Sequence, residues 1–133
     1  MFRTTVIAAA LVCGGCADAP PTRCGPNERP SVDELIYFGT GRPGGTVSDE
    51  EWAGFLRDVV TPRFPQGLTS WPASGQWRSG DGSLTREASH VLNLVHADDD
   101  ATERAIQAIV AEYKEQFRQE AVLRVKTPAC VSF

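Results

Sequence analysis

The chain has 133 residues, of which 41% are hydrophobic and 23% are charged, and its formal net charge is −4 at pH 7. This length and apolar content fit one domain with a buried core and exclude disorder of the whole chain. The acidic balance argues against sequence-independent binding of nucleic acid, which needs clustered lysine and arginine.

The N-terminus has the pattern of an export signal. A short basic start precedes an apolar run, residues 4–12, that is too short to span a bilayer. Small residues then lead to Cys16, as in bacterial lipoprotein signals, in which the cysteine after the small pair is acylated and becomes the mature first residue. Residues 1–15 are therefore predicted to be a lipoprotein signal peptide. Cleavage after Ala19 by ordinary signal peptidase is the alternative, which Pro20 beyond the scissile bond disfavours.

Lipidation of Cys16, with palmitate among its acyl chains, predicts an exported protein anchored to a membrane. Ala17 replaces the aspartate that resembles an inner-membrane retention signal, so the outer membrane and periplasm are favoured in a diderm host. Residues 16–31 hold four prolines among small and polar residues and are predicted to be an extended tether. Residues 32–133 remain as a single domain.

Two cysteines are left for the folded part. If Cys13 leaves with the signal and Cys16 carries lipid, Cys24 and Cys130 are the remaining thiols of an exported chain, and we expect them to form a disulfide. A metal or nucleophile role is disfavoured, because neither has a histidine near it in sequence.

The domain opens with a predicted strand over residues 32–38, which is apolar on both faces. Residues 39–46 nearly fit a phosphate-binding loop, but Gly45 stands where that loop needs lysine, so a flexible connector is predicted instead. A helix follows. Ser48 and Glu51 form a capping box, and an apolar stripe begins at Trp52.

The middle of the chain predicts a β-hairpin. Residues 75–77 and 84–96 have strand character and flank Gly80-Asp81-Gly82, which favours a tight turn. His90 and His96 lie about 20 Å apart on an ideal strand, so they cannot share a metal.

A second amphipathic helix is predicted over residues 101–118. Asp98, Asp99 and Asp100 are assigned to capping its N-terminus rather than to metal binding. Residues 121–126 alternate between apolar and polar positions, as a last strand does.

The element order βαββαβ predicts an α+β fold of the ferredoxin-like type, with an antiparallel sheet in strand order 4-1-3-2 and two helices on one face. In that order the first and last strands are neighbours, which places Cys24 near Cys130 and supports their pairing.

Several segments resemble the bacterial domain-of-unknown-function family 3574. The matching pieces include Tyr37-Phe38-Gly39, Gly75-Gln76-Trp77 and Arg86-Glu87, and the most specific is the run from Thr61 to Thr69, T-P-R-F-P-Q-G-L-T. The resemblance covers roughly residues 35–125. It implies a small exported protein, commonly a lipoprotein, and no agreed biochemical activity.

Two function classes remain open. The first is a lipid-anchored binding or interaction module of the cell envelope, with an unknown envelope partner. The second is a small enzyme or small-molecule binder of the dimeric α+β barrel type, with a pocket between two sheets. No catalytic, metal or cofactor motif is recognised, so no catalytic residue, metal or cofactor is assigned.

The candidate ligand-binding residues are Gln76, Trp77, Glu87 and Gln119, which offer amides, an aromatic wall and a carboxylate. The alternative is structural: Trp77 in a core or interface, and Glu87 paired with Arg78 or Arg124 across strands.

The sheet side opposite the helices should be apolar as well. The first strand has Leu35 and Tyr37 on one face and Ile36 and Phe38 on the other, and the third has Leu92 and Leu94 opposite Val91 and Val95, so apolar side chains remain outside whichever faces pack inward. Because exposed apolar patches mark interfaces or ligand grooves, we expect a homodimer packed sheet to sheet.

Overall fold

The computed structural model describes residues 23–78 and 80–133, apart from the side chain of Trp77. The predicted signal peptide, Cys16 and most of the predicted tether lie outside this part. The strands are β1 (Arg29–Gly39), β2 (Gly41–Arg42), β3 (Gly45–Thr46), β4 (Thr69–Arg78), β5 (Leu84–His96) and β6 (Leu123–Val131), and the α-helices are α1 (Asp49–Phe55) and α2 (Asp100–Phe117).

Four of the strands form one antiparallel sheet in the order β4-β5-β1-β6. The short strands β2 and β3 form a separate two-stranded ribbon. Both helices pack on one face of the large sheet, since their buried side chains join those of β1 and β5 in one cluster. The prediction of a mixed fold with a four-stranded antiparallel sheet and two helices is confirmed.

The core lies between the sheet and the helices. On β1, the buried positions alternate with half-exposed ones, as expected for a strand with two different faces. Aromatic rings fill the centre, where Phe38 contacts Trp52, Phe55 and Tyr113 at centroid distances of 4.5–6.0 Å. Each such ring buries a large apolar area, and rings in contact with one another stabilise the core further. The cluster comprises Ile36, Phe38, Val47, Trp52, Phe55, Val60, Phe64, Leu92, Leu94, Ile106, Ile109, Tyr113 and Phe117.

Helix α1 begins as predicted. The Ser48 hydroxyl accepts a hydrogen bond from the Glu51 amide, and the Glu51 carboxylate accepts one from the Ser48 amide. After Phe55 the helix continues as one π-helical turn, Leu56–Val60, ahead of Pro62.

Helix α2 is capped by the Asp99 side chain, which accepts a hydrogen bond from the Thr102 amide. This hydrogen bond lowers the pKa of Asp99. The predicted stripe packs inward, with Ile106, Ile109 and Tyr113 fully buried. Within the described residues, neither helix has the length and apolarity needed to cross a membrane.

Two strands are longer than predicted. Strand β1 begins at Arg29, so it includes residues 29–31, which the sequence assigned to the tether, and β6 runs to Val131 rather than ending at Lys126. The prolines in these extensions misled the prediction. Pro30 lies where β1 pairs only with β6, and Pro128 lies on the edge strand β6, so each has one side without a neighbouring strand, where proline is tolerated because no hydrogen bond is needed there.

The glycine-rich segment after β1, predicted to be a connector, forms the turn between β2 and β3. The amide and hydroxyl of Thr40 both donate to the Ala88 carbonyl, at 3.1 and 2.8 Å, and the Val47 amide donates to the Thr40 carbonyl at 2.8 Å. Gly44, with φ 86°, provides the left-handed conformation that the reversal between β2 and β3 requires.

Cys24 and Cys130 form a disulfide, as predicted, with their Cα atoms 5.5 Å apart. The bridge joins the segment that precedes β1 to the end of β6, the strand beside it. It spans 106 positions of sequence and therefore encloses nearly the whole domain.

A buried ion network on the helix side was not predicted. The Glu34 carboxylate is fully buried and accepts hydrogen bonds from the Arg124 guanidinium and from His96 Nε2, the latter at 3.0 Å. Arg124 also holds Glu103 of α2, at 2.7 and 2.8 Å, and Lys126 binds the same carboxylate. The hydrogen bonds from Arg124 and Lys126 hold the pKa of Glu103 well below its usual value.

Candidate functional site

A cleft of about 740 Å³ lies at the C-terminal end of β1, between the β2–β3 turn and the segment that follows α2. We call it the Glu87 cleft. Its walls combine one aromatic ring with apolar and charged side chains, the mixture typical of ligand sites. It is lined by Tyr37, Gly39, Gly41, Arg42, Pro43, Gly75, Glu87, Ser89, Arg118, Gln119, Glu120, Ala121 and Leu123.

Strand pairing places Glu87 in the cleft. On β5 it lies opposite Gly75 of β4, two residues before Ser89, which pairs with Gly39 of β1. Neither glycine has a side chain to cover the carboxylate, and Glu87 Oε1 accepts a hydrogen bond from the Gly41 amide at 3.2 Å.

Gln119 reaches the cleft through the end of α2. Arg118 adopts the left-handed conformation, with φ 54°, that usually belongs to glycine at this position. The chain turns there, and Gln119 Nε2 donates to the Gly41 carbonyl at 2.6 Å and to the Phe117 carbonyl at 3.4 Å.

The floor of the cleft is held by side chains from the core. The Tyr113 hydroxyl donates to the Gly39 carbonyl at 2.9 Å. Burial, with a further contribution from Glu87, raises the pKa of this hydroxyl, so it remains a hydrogen-bond donor. Arg42 is tied to Glu51 of α1 at 2.8 Å and lies over the Phe117 ring. The cleft is thus built on both helices and the sheet.

The four predicted site residues separate into two groups. Glu87 and Gln119 meet in the cleft, although they are 32 positions apart in sequence. Gln76 does not line it. It lies in an adjoining groove of about 320 Å³, where its Oε1 atom is 3.5 Å from Arg86 Nε. The backbone of Trp77 pairs with Thr85, and its side chain lies outside the described residues.

The structural alternative for Glu87 is wrong. Arg124 binds Glu34 and Glu103, and Arg78 donates to the Gly82 carbonyl at 3.1 Å. Both guanidinium groups are therefore engaged elsewhere.

Sequence reasoning missed Gly39 and Arg118. A Cβ atom on Gly39 would lie 2.6 Å from Glu87 Oε1 and 3.2 Å from Gln119 Oε1, so any larger residue would displace the Glu87 carboxylate from its present position. Arg118 carried no usable signal, because the left-handed residue at the end of α2 is an arginine where glycine is usual.

The sheet face opposite the helices is not covered by any residue that the structure describes. We call it the open face. Side-chain alternation puts apolar residues from all four strands on it, and Trp71, Leu123, Val95 and Val125 are 41–61% exposed. The remaining apolar residues on this side of the sheet are Leu35 and Tyr37, which are half-buried, and Val91, which is only 1% exposed.

Among the described residues, one cluster of potential metal ligands occurs, formed by Cys24, Glu28 and Cys130. Both sulfurs are taken by the disulfide. His90 stacks on Trp52 with centroids 4.6 Å apart, and burial lowers its pKa, so it is a neutral core residue at pH 7.

Comparison with known proteins gives a family and a fold. A family model described as "Protein of unknown function (DUF3574)" matches residues 33–133. No curated protein sequence matches the chain.

Solved structures with similar folds include a phage SAM lyase in complex with S-methyl-5'-thioadenosine, with a TM-score of 0.56 at 16% identity, covering 86% of this chain and 97% of that chain. CutA from Synechococcus elongatus, complexed with Bis-Tris, has a TM-score of 0.52 at 11% identity, covering 79% of this chain and 87% of that chain. At such identities the likeness concerns the fold alone.

Proposed function

Because this chain belongs to the family described as "Protein of unknown function (DUF3574)", whose description assigns no activity, we propose its function from its own surfaces: a lipid-anchored binding module of the cell envelope. The open face carries this proposal. Trp71, Leu123 and Val125 lie on one continuous sheet surface, and each is more than 40% exposed. Apolar surface of this kind is normally buried against a partner.

The partner we propose for the open face is a second copy of the chain. β1 has eleven residues and the sheet has four strands, so the face measures roughly 15 Å by 35 Å from standard strand rise and spacing. Because side chains project from this plane, the accessible surface of the face is larger than its flat area and approaches the roughly 800 Å² that each partner buries in a standard interface. Packing of two such sheets gives a homodimer of the α+β barrel type, and we assign the β4-β5-β1-β6 sheet to the ferredoxin-like arrangement on which that barrel is based.

We expect the soluble chain, starting at Ala17, to be a dimer by light scattering at micromolar concentration. Val125→Lys should shift it to a monomer, since it places a charge within the proposed interface. Leu84→Lys is the matched control, because Leu84 is 51% exposed but lies beside the hairpin turn. A wild-type monomer that binds no apolar dye would contradict the proposal.

The membrane anchor rests on the signal pattern before Cys16. We expect Cys16→Ser to abolish lipidation and to move the protein from the membrane to the soluble fraction. Metabolic labelling with a fatty acid, followed by fractionation, measures both effects. Label and membrane attachment that persist in the variant would refute the anchor.

The Glu87 cleft supports a second candidate function, the binding of a small molecule. A carboxylate and a carboxamide from distant parts of the chain converge in it, beside the ring of Tyr37. The similar structures were solved with S-methyl-5'-thioadenosine and with Bis-Tris, which illustrates that small molecules are found with this fold. No arrangement of nucleophile, base and oxyanion donors accompanies the carboxylate among the described residues, so we propose binding rather than catalysis.

A further inference from the structure

The polar atoms of the Glu87 cleft specify the chemistry of its ligand, and this inference rests on the second candidate function. Gln119 Nε2 faces two backbone carbonyls, those of Gly41 and Phe117, and both can only accept. The orientation of the amide follows from these neighbours, since the opposite orientation would set oxygen against oxygen. Gln119 therefore presents its carbonyl oxygen, Oε1, to the cleft.

The second acceptor is Glu87. Its Oε1 atom accepts a hydrogen bond from the Gly41 amide at 3.2 Å. Its Oε2 atom accepts no hydrogen bond from any residue in the described part of the chain. Glu87 Oε1 and Gln119 Oε1 both lie within 3.2 Å of one point above the Cα atom of Gly39. Two side chains thus direct acceptors to the same small region.

No ion pair within the described residues engages Glu87. Two cations line the cleft: Arg42, which is engaged by Glu51 and by the Phe117 ring, and Arg118, which makes no ion pair with Glu87. A carboxylate with a free oxygen, a converging carbonyl and no ion-pair partner is complementary to a ligand that donates several hydrogen bonds and carries positive charge.

The walls define the rest of the ligand. The ring of Tyr37 and the side chains of Ala121 and Leu123 face the same cleft. An aromatic ring favours a nearby cation, and the two apolar side chains favour a hydrocarbon group next to it. We propose that the Glu87 cleft binds a small organic cation, a primary ammonium group on a short apolar body, with the ammonium held by Glu87 and Gln119.

Isoamylamine is a suitable probe, and isoamyl alcohol and isovalerate are its neutral and anionic controls on the same carbon skeleton. We expect the full-length protein in a non-ionic detergent to bind the amine with a millimolar Kd by calorimetry. The alcohol and the acid should bind at least tenfold more weakly, because they lack the charge that meets the carboxylate.

Three variants test the assignment. Glu87→Gln removes the charge, and Gly39→Ala places a methyl group 2.6 Å from the position of Glu87 Oε1, so each should weaken amine binding at least tenfold. Glu115→Gln makes the same charge change on an exposed residue of α2 and should leave the Kd within twofold. Circular dichroism shows whether each variant is folded. If either Glu87→Gln or Gly39→Ala fails to fold, the other one of this pair provides the test.

Two results would overturn the proposal: equal affinity for the amine and the alcohol, or amine binding that Glu87→Gln and Gly39→Ala leave unchanged. Preferred binding of isovalerate would also overturn it, and would assign the cleft to anions through Arg118. Because Tyr37 and Leu123 belong to both the cleft and the open face, the amine titration is repeated with Val125→Lys. Light scattering measures the dimer and calorimetry measures amine binding, so failure of the ligand proposal and failure of the self-association proposal are distinguishable.

Discussion

Replacement of both Cys24 and Cys130 by serine should lower the free energy of unfolding by about 4–5 kcal/mol. The reason is the length of the closed loop. A bridge between residues 106 positions apart removes much of the conformational freedom of the unfolded chain, and the chain-entropy cost grows with the logarithm of that separation. A loss of this size is a large part of the net stability of a domain.

Urea denaturation of the chain from Ala17 onward measures the effect, with and without a reducing agent. The reducing agent should destabilise the wild-type protein and leave the stability of the double-serine variant unchanged. The variant thus controls for effects of the reducing agent that do not involve the disulfide. Two reactive thiols in the oxidised, refolded wild-type chain would show that the bridge does not form in solution.

Arg124→Met should be the most damaging single substitution in the ion network, with a cost of about 3–5 kcal/mol. Arg124 supplies most of the hydrogen bonds to the Glu34 carboxylate, which is fully buried between β1, β6 and α2. Without the guanidinium, His96 is the one side chain in the described part of the chain that still hydrogen-bonds this buried carboxylate. Lys126→Met is the matched control: Lys126 is a more exposed cation of the same network, and its loss should cost less than about 1 kcal/mol.

A double variant provides a second test. Glu34→Met/Arg124→Met removes the buried carboxylate together with its partner, so it should be more stable than Arg124→Met alone. A double variant as unstable as Arg124→Met alone would contradict this account.

Local patterns accounted for the parts of the fold whose determinants are near in sequence. The capping box of Ser48 and Glu51 and the stripe of α2 lie within one element each, and both form as predicted. Strand ends were less predictable. In the sequence, Pro30 and Pro128 indicate the ends of strands, because proline has no amide hydrogen to donate. Each of them has a neighbouring strand on one side only, and a strand tolerates proline at such an edge position.

The candidate site was only half predictable for a related reason. Glu87 and Gln119 were recognised by their chemistry, and the sheet register together with the turn at Arg118 brings them together. The same reasoning placed Gln76 with them because all three are polar and Gln76 lies on the same hairpin as Glu87. Gln76 pairs with Arg86, one position away from the Gly75–Glu87 pair, and neighbouring positions of a strand point to opposite faces, so it lines the smaller groove that Glu87 also borders. The Glu34 network escaped notice because its partners come from β1, α2 and β6, and no spacing in the sequence connects them.

The position of the disulfide has a mechanical consequence. Cys24 lies at the beginning of the described chain, only five residues before β1, and it is fastened covalently to the strand beside β1. Tension applied ahead of Arg23, as from a tether under load, reaches the bridge first. The force is then shared between β1 and β6, whose hydrogen bonds are loaded together instead of being pulled apart one after another from Arg29. When the chain is pulled at its N-terminus, we therefore expect β1 to stay paired with its neighbours at forces that would separate it from a sheet without the disulfide.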